Sequence, residues 1–107
     1  NRMKEKRQTI AEVVSELADR AFVTCDETYG EDPHAVHEEV WASIDQEKVD
    51  AEKIFDRREA IQRALASAQP GDVVICCGMG PFTTFNTLDG PIPWKEKEII
   101  RDILRSL

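Results

Sequence analysis

Two short apolar runs constrain this chain more than any other feature: AFVTC at residues 21–25 and VVICC at residues 73–77. Neither alternates polar with apolar side chains, and both are bounded by charged or turn-forming residues, which is the pattern of a strand covered on both faces. Strands of that kind belong to a parallel sheet, whose connections have to be crossovers, usually helical. The sequence around the first run and between the two has the matching period. Ile10, Val13, Val14, Leu17 and Ala18 recur at i, i+3, i+4, i+7 and i+8 and predict a helix over 8–19 with that face buried. Asp32 before Pro33 supplies an N-cap and a proline at the first helical position, and Val36, Val40 and Ile44 form the apolar side of a helix over 33–44. Residues 53–55 read as a weaker strand. Asp56 with Glu59 three residues on resembles a capping box, and the helix it opens packs Ile61, Ala64, Leu65 and Ala68.

Gln69-Pro70-Gly71-Asp72 is a turn, and VVICC after it is expected to be central in the sheet. Residues 78–93 hold three glycines and three prolines and read as a long loop with a short extended piece at 83–86. Trp94 opens a last helix whose apolar stripe is Ile100, Ile103, Leu104 and Leu107. The order predicts a single α/β layered domain over 1–107 with a mostly parallel sheet. Because the order begins on a helix, a strand is expected upstream of Asn1.

Composition narrows the function classes. The 107 residues suit one core. Lys plus Arg number 14 against 21 Asp plus Glu, a formal charge of −7, which argues against nucleic acid or an anionic membrane as partner. No apolar stretch approaches the ~20 residues of a membrane span, and residues 1–8 carry no signal-peptide core. Three cysteines make no even disulfide framework, so a reducing cytoplasm is the expected compartment.

In an open parallel sheet, ligands bind outside the carboxyl ends of the strands. Two segments qualify, DETYGED at 26–32 and GMGPF at 78–82. As a polar small-molecule pocket, Asp26 and Glu27 face an ammonium group, Tyr29 a polar end, and the Gly78 and Gly80 amides a carboxylate. As ordinary strand-to-helix connections, the same loops bind nothing, and spacing alone does not separate the two readings. GMG is no phosphate loop, since it lacks G-x-x-x-x-G-K-[ST]. His34 and His37 lack a partner C-x-x-C and an H-E-x-x-H spacing, so they are expected to be solvent-exposed rather than metal ligands. Cys25, Cys76 and Cys77 are expected to be buried and inert. Asp56-Arg57-Arg58 reads as a cap and a solvated first turn, and Trp41 and Trp94 as packing anchors or pieces of an interface to another domain rather than a stacking platform.

The ordered set ELADRAFVTCDE, EDP, IFDRREAI and ALASAQPGDVVICCGMG resembles the C-terminal domain of the Mur ligase family. The nearest branch is the UDP-N-acetylmuramoyl-dipeptide ligases that add the third amino acid of the peptidoglycan stem peptide. The resemblance covers about residues 6–107. It implies a Rossmann-like third domain of a cytoplasmic enzyme dependent on ATP and Mg. Two upstream domains there hold the phosphate loop and the sugar-nucleotide site, and the third supplies the incoming amino acid's pocket. It also implies a strand and a glycine-containing turn just before the basic stretch of residues 1–7. That strand would lie centrally, between 21–25 and 73–77, so a piece without it has a gap or exchanges strands in a swapped dimer.

Carried over position by position, the family's Asp-Asn-Pro-Arg, typical of members that use diaminopimelate, matches Asp26, Glu27, Thr28 and Tyr29, and only the aspartate is kept. Tyrosine cannot form arginine's bidentate charged fork on a substrate carboxylate. Gly-Lys-Gly-His-Glu matches Gly78, Met79, Gly80, Pro81 and Phe82, which keeps the glycines and loses every titratable side chain. The resemblance thus implies substrate-binding residues at 26–29 and 78–82, no catalytic acid, base or nucleophile in this chain, no metal ligand, and ATP and Mg bound mainly by other domains. The substrates implied are an amino acid and a UDP-N-acetylmuramoyl-peptide, and the piece alone is expected to be inactive. A non-catalytic binding module, or a paralogue with an altered substrate, is the alternative.

Overall fold

The computed structural model describes residues 2–25, 31–77, 84–87 and 90–107. Along them run α1 (Arg2–Leu17), β1 (Arg20–Val23), α2 (Pro33–Ser43), β2 (Asp50–Lys53), α3 (Arg57–Ser67), β3 (Thr84–Thr87), β4 (Gly90–Pro93) and α4 (Glu96–Ser106). The alternation makes an α/β domain, and β1 and β2 pair in parallel with α2 as their crossover, in register Arg20↔Asp50 to Val23↔Lys53. Hydrogen bonds between the two chains continue past the strands: Ile54 N donates to the Val23 carbonyl at 2.9 Å, and Cys25 N and the Thr24 hydroxyl both donate to the Phe55 carbonyl at 3.3 and 3.1 Å. The weaker strand expected at 53–55 therefore begins earlier, at Asp50.

Local chemistry sets the helix starts. The Asp32 side chain accepts from His34 N at 3.1 Å with Pro33 in the first turn, and the Asp56 side chain accepts from Glu59 N at 3.1 Å. The turn at 69–72 closes with Asp72 N donating to the Gln69 carbonyl at 2.9 Å. Gly71 sits there at φ +94°, a conformation that glycine adopts without strain.

The core has two apolar clusters. One joins Ala11, Ala21, Val23, Ile44 and Val49, with α1 and α2 around β1; the other joins Cys25, Ile61, Phe85, Trp94 and Ile103, with α3, α4 and the β3–β4 hairpin. In that hairpin Phe85 pairs with Ile92 and meets Trp94 edge-on at 5.3 Å. The long loop expected over 78–93 thus contains an antiparallel pair. Pro91 and Pro93 lack a ladder N–H, but a two-stranded ribbon has only edge strands, which tolerate proline.

Three expectations are corrected. The 73–77 run forms no ladder with any described strand, and Val73 and Ile75 are 83% and 78% exposed. Its composition demands burial, but β1 pairs only with β2 and no described strand lies at its other edge. The α1 stripe is rotated. Ala11 and Ser15 are buried and Val14 and Ala18 half-buried, while Ile10, Val13 and Leu17 face out. Ser15 fixes that rotation, since its hydroxyl donates to the Ala11 carbonyl at 2.8 Å and accepts from Asp45 N at 2.9 Å. In α4, Ile103 is buried as the stripe predicts, but Leu104 and Leu107 are exposed.

Candidate functional site

Asp26, Glu27, Thr28, Tyr29, Gly78, Met79, Gly80, Pro81 and Phe82 lie outside the described residues. The described chain reaches both segments, through Cys25 after β1 and through Cys77 after the VVICC run, and these two ends meet at Arg57. From the first position of α3, Arg57 Nη1 donates to the Cys25 carbonyl at 3.1 Å and Nη2 to the Cys77 carbonyl at 2.9 Å. The rest of the guanidinium faces Glu96, with Nε to Oε1 at 2.5 Å and Nη2 to Oε2 at 3.0 Å, and the Trp94 indole N–H donates to the same Oε1 at 3.3 Å. Arg57 is 4% and Glu96 8% exposed.

The arrangement answers an electrostatic problem. A cation in the first turn of α3 sits at the positive end of the helix dipole, where it is disfavoured, whereas Glu96 occupies the first turn of α4, where an anion is favoured. The bidentate pair supplies the countercharge that makes Arg57 tolerable without water. The reading of Arg57 as a solvated first-turn residue is therefore corrected. An arginine directly after an aspartate N-cap, against the dipole, was the sequence signal of a buried partner.

The histidines divide. His34 is exposed and stacks on Phe55 at 4.0 Å. His37, expected at the surface, is buried beside Val36, where α2 lies against β1, and its Nε2 is 2.7 Å from the Val23 carbonyl. A carbonyl only accepts, so Nε2 carries the proton and the ring anchors α2 to β1. Among the described residues no three His, Cys, Asp or Glu side chains converge as a metal site. The cysteines also divide: Cys25 is buried as expected, whereas Cys76 is half-buried with its thiol pushed up by burial and Cys77 is exposed, which corrects the expectation of burial for these two. Of the DETYGED run, the described Glu31 bonds Arg7 of α1, whose guanidinium holds the carboxyl below its usual range, and Asp32 is the α2 cap. Trp94 is a buried anchor and Trp41 packs on the α1–α2 cluster.

No helix among the described residues is long and apolar enough to cross a membrane. The family model described as Mur ligase, glutamate ligase domain, matches residues 1–80. A UDP-N-acetylmuramyl-tripeptide synthetase of Lactobacillus acidophilus is 42% identical over 90 residues, 82% of this chain and 17% of that protein. Two UDP-N-acetylmuramoyl-L-alanyl-D-glutamate–2,6-diaminopimelate ligases are also similar. That of Caldanaerobacter subterraneus is 36% identical over 97% of this chain and 22% of its own length, and that of Nitrosomonas europaea 32% identical over 100% and 20%. The chain spans about a fifth of the length of these relatives.

Proposed function

The chain belongs to the Mur ligase family, and on that premise we propose that it is the amino-acid-binding C-terminal domain of an ATP-dependent cytoplasmic ligase of peptidoglycan synthesis. The observation that carries this reading is the meeting of the Cys25 and Cys77 ends at one buried guanidinium, since the segments that continue from them are those that the family resemblance assigns to substrate. The contribution of such a domain is proximity. Holding an amine against an activated carboxyl converts a bimolecular step into an effectively unimolecular one, worth effective molarities of about 10⁵ M or more.

Within that reading Asp26 and Glu27 meet the ammonium group, and Tyr29 and the 78–82 backbone meet the rest of the amino acid. In this reading ATP and Mg are bound mainly by other domains. The sequence has no phosphate loop, and no cluster of three metal-ligating side chains occurs among the described residues, so no step is routed through either group here. The activated carboxyl of the UDP-N-acetylmuramoyl-peptide is then the work of other domains, and the piece alone is inactive. Loss of arginine at Tyr29 and of every charged side chain across 78–82 argues for an amino acid other than diaminopimelate, lysine-like or smaller.

The exposed Val73 and Ile75 and the edge of β1 at which no described strand lies suit a further strand between β1 and 73–77. A strand of the parent protein fills that place in our reading, and the isolated piece exchanges strands in a dimer, which light scattering after size exclusion tests directly.

The test of function is ATP-dependent phosphate release by the full-length parent, supplied with UDP-N-acetylmuramoyl-dipeptide and single amino acids in turn. Stimulation by one amino acid is the expected result; none with any of them, from folded protein, sinks the reading. The GMGPF sequence favours one alternative, a binding module that has lost its chemistry. Amino-acid binding without turnover would identify it.

A further inference from the structure

Four hydrogen bonds leave the Arg57 guanidinium, and two of them end on the carbonyls of Cys25, two residues past β1, and of Cys77, the last residue of the 73–77 run. These two ends share no sheet ladder, because β1 pairs with β2 and 73–77 pairs with no described strand. A planar fork of fixed N–H directions links the two ends directly and sets the distance and orientation of one relative to the other, with or without a further strand between them. The fork is itself held. Glu96 grips it bidentately from α4, and Trp94, packed on Phe85, fixes the Glu96 carboxylate through its indole N–H.

We propose that Arg57 is a positioning residue for the incoming amino acid, setting the spacing of the Cys25 and Cys77 ends and through it the affinity of the site that continues from them. The inference rests on the amino-acid-binding reading above. Glu96 is the second member of the device, with no contact to substrate required of either. Lysine at 57 keeps the positive charge against Glu96 but offers a compact ammonium that cannot span both carbonyls in one plane. Glutamine at 96 keeps one acceptor and loses the bidentate grip.

The experiment is steady-state phosphate release by the full-length parent with ATP and UDP-N-acetylmuramoyl-dipeptide saturating and the amino acid varied, for wild type, Arg57→Lys and Glu96→Gln. Arg57→Lys is expected to raise KM for the amino acid about tenfold, the effect of losing about 1.4 kcal/mol of binding that the ground state and the transition state share. KM for ATP and kcat at saturating amino acid should stay within about threefold in the same variant, a split that general loss of structure does not produce. Glu96→Gln should raise the same KM by a smaller factor, and decides the matter if Arg57→Lys does not fold. An unchanged amino-acid KM in a folded variant overturns the inference, as does a parallel change in all three parameters. A wild type that responds to no amino acid overturns the functional reading itself, and the positioning role falls with it.

Discussion

AFVTC and VVICC are nearly interchangeable as sequence, yet one lies in a buried parallel ladder and the other stands open. At 21–25, Ala21 and Val23 are buried against α1 and α2, and β2 satisfies the backbone along one side. At 73–77, the backbone enters no ladder, Ile75 is 78% exposed, and the end is held by a side chain, Arg57, rather than by a strand. Apolar composition states how much burial a segment needs. Whether the need is met depends on a neighbour that lies elsewhere in sequence, because a β-strand cannot close its hydrogen bonds within itself as a helix does.

The sharpest way to break the comparison is to remove the side chain that substitutes for a ladder. Arg57→Leu leaves the Glu96 carboxylate buried without its partner and should cost about 3–5 kcal/mol, read by urea denaturation of the chain. A loss below about 1 kcal/mol would show that the pair carries little of the fold. Next in size is truncation within the two runs. Val23→Ala in the buried strand should cost about 2 kcal/mol, whereas Ile75→Ala should fall within about 0.5 kcal/mol in this chain. The same Ile75→Ala made in the full-length parent sharpens the point. A cost there of about 2–5 kcal/mol is the mark of a strand packed against it.

Gly71→Ala, in the turn that launches VVICC, should cost about 1–2 kcal/mol through φ +94° alone, since a Cβ added there meets open space; thermal melts check it. The smallest effect is chemical. Burial pushes the Cys76 thiol above its ordinary value, so at pH 8 iodoacetamide should label exposed Cys77 first and Cys76 later, as peptide mass spectrometry reads. A folded-state value that is raised contributes fully to stability below the thiol's ordinary value, and the contribution is lost as pH rises through the raised one. Equal labelling of the two would contradict the burial difference.

Local signals were the legible ones. Asp32-Pro33, Asp56 with Glu59, and Pro70-Gly71 each announce a cap or a turn through contacts within four residues, and each forms as its sequence indicates. What was not legible depends on partners far along the chain. The α1 face is set by Ser15 reaching Asp45, His37 is buried because Val23 offers a carbonyl, and Arg57 is dry because Glu96 lies 39 positions on. The β3–β4 hairpin was hidden by Pro91 and Pro93, which argue against a strand unless its outer edge is free. For the candidate site, topology indicated which strand ends to watch, and the structure joins those ends through a residue that pattern alone placed in solvent.

The central claim is that the segments continuing from Cys25 and Cys77 receive an amino acid, and Asp26 is the residue that the resemblance and the sequence both place there. The most direct measurement is amino-acid-dependent phosphate release by the full-length parent carrying Asp26→Asn beside wild type, with ATP and the UDP-N-acetylmuramoyl-dipeptide saturating. Release stimulated by one amino acid is expected in wild type, and at least about a tenfold loss of kcat/KM for that amino acid in a folded variant, the order that follows when a charged partner is removed from a bound ammonium group. An Asp26→Asn parent with wild-type kcat/KM would contradict the claim.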